Sequence, residues 1–401
     1  DVWIAVFGSG PTGYDGRIGQ TGKLYAVDLK TGPKSGTGAS AMNIFSTFPV
    51  KGSGGDLNTF MGDLVSLDRD LDFRTDTLYG GSVIDDGSLP WRGRMYRLTV
   101  GGCLASPCSS STWGYNLGGT RIPTEVLDDF SPYPSGSSVQ AGPMLAAPAL
   151  AVDDSNNVWV FFGTGRFLSN VDKTNTEQQR LYGVKDMVLA GYSGICTEAG
   201  ISNCKTTNLV NVSDVSICVI CSGSTTQVTS SALSGVTKLE GDDPATTLQG
   251  LVQSKGGWVT NLPTTGERSL VTPTILGGIV FFPTYVPKDD ICTAAGDGYL
   301  YGLFYQTGSA FSEPVLGTTS AGANAMANAS VSLGSGVGML SQMAIHIGAQ
   351  GSGAGGATAG GTGCASGITG IMQSSTGLTN TICTNPGSVA SRFVAWINQR
   401  E

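Results

Sequence analysis

Histidine is all but missing from this chain: His346 is the only one among 401 residues. A zinc site built on thiolates and imidazoles has almost no nitrogen to draw on. A Ser or Cys nucleophile has no evident base either, since His346 lies in the apolar run Met343–Ile347 and reads as a structural residue. Charge is also scarce. Lys, Arg, Asp and Glu make up 13% of the chain and the net charge is −8, which argues against nucleic acid, whose phosphates need a basic face. The one basic cluster, Arg92, Arg94 and Arg97, is expected on an exposed strand face. No apolar run reaches the ~18–20 residues that span a bilayer. No long segment keeps helical periodicity, and neither a Walker-type phosphate loop nor an Arg-Gly-Asp tripeptide occurs. The pairs Asp85-Asp86 and Asp153-Asp154 stand beside Gly or Asn, as turn residues do. None of this marks an enzyme.

What is present is glycine, 60 of them, with many Ser and Thr between short runs of Val, Ile, Phe, Tyr and Trp. That texture belongs to all-β folds of the sandwich, barrel or propeller kind. Nine cysteines in such a chain point to an oxidising compartment. Short loops favour pairing Cys103 with Cys108, Cys196 with Cys204, and Cys364 with Cys383, leaving Cys292 as the odd thiol. Cys218-Val-Ile-Cys221 is followed by Ser222 rather than His, so it is not a haem attachment site.

A two-strand unit recurs four times. Its first strand is Val2–Gly10, Thr75–Val83, Val158–Arg166 and Gly278–Val286. Its second carries a Leu-Tyr or Met-Tyr pair: Leu24-Tyr25, Met95-Tyr96, Leu181-Tyr182 and Leu300-Tyr301. Strand pairs repeated in this way suggest blades arranged radially, a modified β-propeller over residues 1–401 as one domain. The uneven spacing implies irregular insertions: residues 187–262 as an excursion outside the repeat, and 316–401 as a Gly-rich loop plus closing segment. Residues 348–363 are low-complexity, and Ser391–Trp396 alternates like a final strand. Strand-like sequence begins at once at Val2–Phe7, with no initiator Met or signal peptide. Something upstream is therefore expected to have been removed, cleaved or left out. A strand from an upstream segment, or from a partner subunit, is expected to pair with Val2–Phe7, and Cys292 could link to it.

The richest chemistry lies in Asp68-Arg69-Asp70-Leu71-Asp72-Phe73-Arg74-Thr75-Asp76. Carboxylates fall at loop positions 1, 3, 5 and 9, namely Asp68, Asp70, Asp72 and Asp76, and the Arg74 carbonyl falls at position 7. Charges this close repel unless a cation sits among them, and Ca²⁺ takes six to eight oxygens at roughly 2.3–2.6 Å. The loop is no EF-hand, because Phe73 stands where Gly is needed and Tyr79 where the closing Glu belongs. The expected ligands are Asp68, Asp70, Asp72, Arg74 and Asp76.

Three stretches resemble the C-terminal propeller of the PilY/PilC family, proteins of the type IV pilus tip. Asp68–Val83 is similar to that family's Asp-rich calcium loop leading into a Tyr-x-Gly strand. Phe161–Phe167 with Gln179–Val184 resembles its Gly-Thr-Gly-Arg-aromatic blade, and Ser391–Trp396 its terminal strand. The resemblance implies a non-enzymatic, extracellular pilus-tip protein, exported through the periplasm and associated with the outer membrane. It would bind Ca²⁺, act with minor pilins in pilus assembly, oppose retraction and adhere to host or abiotic surfaces. It also implies that first blades and a variable adhesive region belong upstream. Two departures stand out: Asp72 where Asn is also common, and Gly81 or Ser82 where the family has Asp. The alternatives are an unrelated secreted adhesive propeller and a degenerate quinoprotein dehydrogenase, whose docking repeat Ala26–Gly32 resembles. The latter repeat lacks its Trp, replaced by Gly36, and the adjacent Cys pair of the quinone pocket is missing.

Overall fold

The computed structural model of the chain describes residues 3–29 (save 14, 15 and 17), 44–50, 58–85, 91–100, 112–127, 141–186, 208–222, 226–288, 296–347 and 368–384. Almost every element is a strand. The first sheet holds β1 (Ile4–Gly8), β2 (Lys23–Asp28) and β3 (Ile44–Pro49) in that order. The second holds β4 (Thr59–Leu67), β5 (Thr77–Ile84) and β6 (Met95–Thr99); after the small hairpin β7 (Tyr115–Leu117) and β8 (Thr120–Ile122), β9 (Thr124–Glu125) adds a fourth strand beside β6. The third begins with β10 (Ala149–Val152), β11 (Val158–Gly163) and β12 (Arg180–Asp186). Next in the chain come β13 (Val210–Asn211), β14 (Ser216–Ile220), β15 (Val228–Thr229), the helix α1 (Leu248–Gln253) and β16 (Gly257–Asn261), with β16 and β13 completing the third sheet. The fourth holds β17 (Thr274–Leu276), β18 (Ile279–Val286) and β19 (Asp297–Phe304); beyond β20 (Thr318–Ala321) and β21 (Asn324–Ala327), β22 (Ser330–Ser335) is its last strand. A fifth joins β23 (Ala344–Ile347), β24 (Ile368–Gln373) and β25 (Thr379–Cys383).

The sheets stack in chain order through shared apolar layers. Leu24, Ala26 and Phe48 of the first meet Met61, Tyr96 and Leu98 of the second. Tyr79 and Met95 of the second meet Val160, Phe162 and Tyr182 of the third. Trp159, Phe161 and Trp258 of the third share a core with Phe281, Leu300, Met372 and Ile382 of the fourth and fifth. The result is a propeller-like fan of blades. A strand inside such a stack is covered on both faces, so it reads as a continuous apolar run rather than an alternation. Val158-Trp159-Val160-Phe161-Phe162 and Ile279-Val280-Phe281-Phe282 are buried throughout.

All four two-strand units are antiparallel neighbours, with Phe7 opposite Tyr25, Gly80 opposite Tyr96, Phe162 opposite Tyr182 and Phe282 opposite Tyr301. The Gly that follows Tyr in the third blade has a steric cause. Trp258 lies between Gly183 and Gly308, where an added Cβ would sit 2.3 Å from the indole on either side. The ring cannot recede, since its Nε1 donates to the Tyr305 carbonyl at 2.7 Å and Phe282 packs edge-on against it. Gly183→Ala is expected to cost about 2–3 kcal/mol by overpacking. Urea unfolding followed by Trp fluorescence checks this, and a loss under 0.5 kcal/mol would contradict the packing account.

Several expectations need correction. Arg94 and Arg97 do not lie on an exposed face: they are 3% and 1% exposed. Arg97 lies on β6, between β5 and β9 in a covered blade, and Arg94 directly precedes that strand, so both cations survive burial only by pairing. Arg94 bonds Glu125 at 2.8 Å, and Arg97 pairs with Asp186 of the third blade. The excursion at 187–262 is not wholly outside the repeat. β16 pairs antiparallel with β12 as the blade's next strand, and β14 pairs with β21, joining both supposed insertions in one sheet, β15-β14-β21-β20. Within 316–401, β22 likewise belongs to the fourth blade. His346 stands exposed on β23, and Cys218 is bonded to Cys221. Cys383 is also in a disulfide, but Cys103, Cys108, Cys196, Cys204, Cys292 and Cys364 lie outside the described residues. So do residues 348–363 and Ser391–Trp396. Asp153 does shape a turn: its carboxylate accepts the Ser155 and Asn157 N–H groups and the Trp159 indole. Asp86 is outside the described residues.

Candidate metal centre

The acidic loop joins β4 to β5, two strands held in register from Leu67↔Thr77 inward. Asp76 N–H donates to the Leu67 carbonyl at 2.8 Å, and the Asp76 carbonyl accepts Val100 N–H at 2.7 Å. The base of the loop is therefore an extension of the sheet, while its tip turns through residues 68–75.

The carboxylates organise that tip. Asp68 accepts Asp72 N–H at 3.2 Å on Oδ1 and Phe73 N–H at 2.8 Å on Oδ2. Asp70 Oδ1 also accepts Asp72 N–H, at 3.2 Å, and Asp76 Oδ2 accepts Arg69 N–H at 2.7 Å. Wrapping the chain this tightly puts Leu71 and Phe73 at φ of 61° and 69°, a region that favours Gly. Arg69 Nη2 reaches the Asn156 carbonyl at 3.2 Å, which ties the loop to the Asp153 turn of the third blade.

Three of the expected ligands converge. Asp68, Asp70 and Asp76 each offer a carboxylate oxygen, and these oxygens all lie within 4.8 Å of one another. Asp72 is outside this trio and accepts Arg74 N–H at 2.9 Å on Oδ1. At such separations each pair of carboxylates repels by roughly 1–3 kcal/mol, depending on the local dielectric. The donor set is purely oxygen, with no thiolate or imidazole in the group, which suits a hard divalent cation over zinc or copper. Asp68 and Asp76 are half-buried and Asp70 is exposed, so the cluster opens to solvent. Sequence spacing located the loop but could not reveal that Asp72 turns toward the Arg74 amide.

A second charged cluster is structural. The Arg166 guanidinium lies over the Trp91 ring at 3.3 Å and forms an ion pair with Asp172, Nε to Oδ1, at 2.9 Å. Arg268 donates to the carbonyls of Gly266, Arg166, Asp172 and Asn175. Burial lowers the pKa of both guanidinium groups, opposed by nearby Asp172, and burial pushes the Glu177 carboxyl up. These contacts explain the Gly-Thr-Gly-Arg stretch as a knot between loops; Gly165 takes φ 141° with the Arg268 Cβ 2.4 Å from where its own would be. Among the described residues no helix is long and apolar enough to cross a membrane.

A fan of blades of three to five described strands, with an oxygen-only acidic loop between two of them, defines a propeller-like β module with a candidate cation site. No protein-family model matches the chain. It is 27% identical over 321 residues to a type IV pilus biogenesis factor PilY1 homolog of Xylella fastidiosa, a match covering 77% of this chain and 18% of that protein. The chain thus spans under a fifth of that relative's length. The crystal structure of the Pseudomonas aeruginosa PilY1 C-terminal domain superposes with a TM-score of 0.57 at 19% identity, covering 96% of this chain and 70% of that one. Both comparisons bear out the resemblance to the PilY C-terminal propeller, and the second shows the shared fold.

Proposed function

We propose that this chain is the calcium-binding propeller of a non-enzymatic type IV pilus biogenesis factor. The similarity to the PilY1 homolog across most of the chain carries the reading. The convergence of Asp68, Asp70 and Asp76 between two strands supports Ca²⁺ as the ion, with Asp72 and the Arg74 carbonyl as further ligands once the loop closes on it. Bound there, the ion scaffolds the loop and biases which partner surface the second blade presents. In this reading the protein works at the cell surface and pilus tip, with minor pilins. It supports assembly, opposes retraction and adheres to a host or abiotic surface. A cleaved upstream piece of the same precursor would be a further partner.

Deletion and complementation test this in the source organism. Loss of the gene is expected to abolish surface pili and surface motility. The wild-type gene should restore both, whereas the Asp68→Ala, Asp76→Ala variant should restore pili whose retraction is misregulated. Normal piliation in the deletion strain would overturn the reading.

A further inference from the structure

One sheet, β15-β14-β21-β20, belongs to none of the blades. Ile217 and Val228 fix it to the core that the third, fourth and fifth sheets share. Residues 230–237 leave β15 and return to it, where the Thr237 carbonyl accepts the Gln227 and Val228 N–H groups at 2.8 and 2.9 Å. Between this loop, β14, β15 and Asp214 lies an open cleft of about 490 Å³, a volume within the range of small-molecule sites.

One carboxylate holds the loop. Asp214 accepts the Ser230 hydroxyl at 2.8 Å on Oδ1. Its Oδ2 accepts the Ser231 N–H and hydroxyl, both at 2.7 Å, and the Ala232 N–H at 3.2 Å. Ser230 Oγ in turn accepts the Leu233 N–H at 3.1 Å. Two further lining residues, Val228 and Val236, are 1% and 6% exposed and are part of the core. The cleft thus stands on packed side chains, as a preorganised site requires.

The lining defines the ligand by elimination. Among the described residues Asp214 is the one charged group that lines the cleft, so a phosphate or carboxylate ligand would be repelled. That carboxylate already accepts four hydrogen bonds, which reduces its demand for a cationic partner. Most of the other lining residues are Ser and Thr. The hydroxyls of Ser216, Ser234 and Thr237 make no hydrogen bond to any described residue, although each can donate one and accept two. Val228, Leu233 and Val236 supply apolar surface beside them. Hydroxyls next to an apolar patch suit a neutral molecule with hydroxyl edges and a C–H face, which is the surface of a pyranose ring.

We propose that this cleft is a saccharide site that takes neutral hexose units. Ser216, Ser234 and Thr237 bond the sugar hydroxyls, and Val228, Leu233 and Val236 meet its C–H face. Asp214 Oδ1, which accepts the Ser230 hydroxyl alone among the described residues, has a lone pair left for a further sugar hydroxyl. Because the cleft is open, a hexose within a longer glycan enters as readily as a free one. No aromatic ring lines it among the described residues, so binding rests on hydrogen bonds and a Kd of roughly 1–10 mM is expected.

Saturation-transfer NMR on the full chain tests this with the methyl glycosides of glucose, galactose and mannose, and with methyl glucuronide and glycerol as comparisons. At least one neutral hexoside is expected to bind, and Ser234→Ala, Thr237→Val should weaken it at least ~10-fold. Neither hydroxyl bonds the protein, so the double variant should keep the wild-type unfolding midpoint. In wild type the amide shifts produced by the sugar should fall within residues 214–237, which carries the test if the variant does not fold. Absence of hexoside binding in wild type would overturn the proposal. So would undiminished binding in the folded variant, shifts elsewhere, or equal signals from glycerol or the glucuronide. Binding is read apart from piliation, so a failure here and a failure of the pilus reading are told apart.

Discussion

Asp186→Ala is expected to lower the unfolding free energy by about 3–5 kcal/mol, the usual consequence of breaking a buried ion pair on one side. Asp186 is 1% exposed at the end of β12, and it accepts the Tyr79 hydroxyl at 2.9 Å as well as the Arg97 guanidinium. Tyr79 and Arg97 belong to β5 and β6, so this carboxylate fastens the second blade to the third across an otherwise apolar layer. Without it Arg97, 1% exposed, keeps its charge in a poorly solvated place. Replacing both partners should cost less than the sum of the single changes, because the double variant leaves no orphaned charge. Urea unfolding of Asp186→Ala, Arg97→Met and the pair measures this. A single-variant loss under 1 kcal/mol would show that the pair contributes little to joining the blades.

The second large effect is expected on removing the cation. With Ca²⁺ at a hundredfold excess over its Kd, binding to the folded state alone adds about 2.7 kcal/mol to stability. Chelation should therefore lower the unfolding midpoint in wild type and leave Asp68→Ala, Asp76→Ala unmoved. The change in order should be local. β5 is paired on both sides and mostly buried, so its amides are protected with or without the ion. Residues 68–76 are largely exposed and held by their own carboxylates, so their exchange should slow at least ~10-fold with Ca²⁺. Equal exchange with calcium and with chelator would count against any role for the ion in ordering the loop.

The blades were legible because each central strand is a dense apolar run followed by a Tyr-bearing partner, a signal that survives long interruptions. The outer strands were not. β9 and β13 are two residues long, and β16 and β22 are set apart from their blades by intervening elements that look like insertions. Their membership is decided by long-range pairing, which no local pattern encodes. Arg94 and Arg97 misled for a related reason. Alternation marks an exposed face only where one side of a sheet meets water, and here Glu125 and Asp186 wait on strands far along the chain. The disulfide at Cys218 and Cys221 was missed because that spacing was weighed only against haem attachment, while the expected pairs were sought among other cysteines. The acidic loop was the easiest to find: four Asp residues at fixed intervals stayed local, and three of them meet in space.

Isothermal calorimetry with Ca²⁺ tests the central claim most directly, by comparing the wild-type chain with Asp68→Ala, Asp76→Ala. These two residues bracket the loop, and Asp76 is also held by the sheet through its backbone. One site per chain is expected in wild type, with affinity lost by at least ~100-fold, about 2.7 kcal/mol, in the double variant. Calcium binding of unchanged strength in the double variant, or none in wild type, would contradict the account.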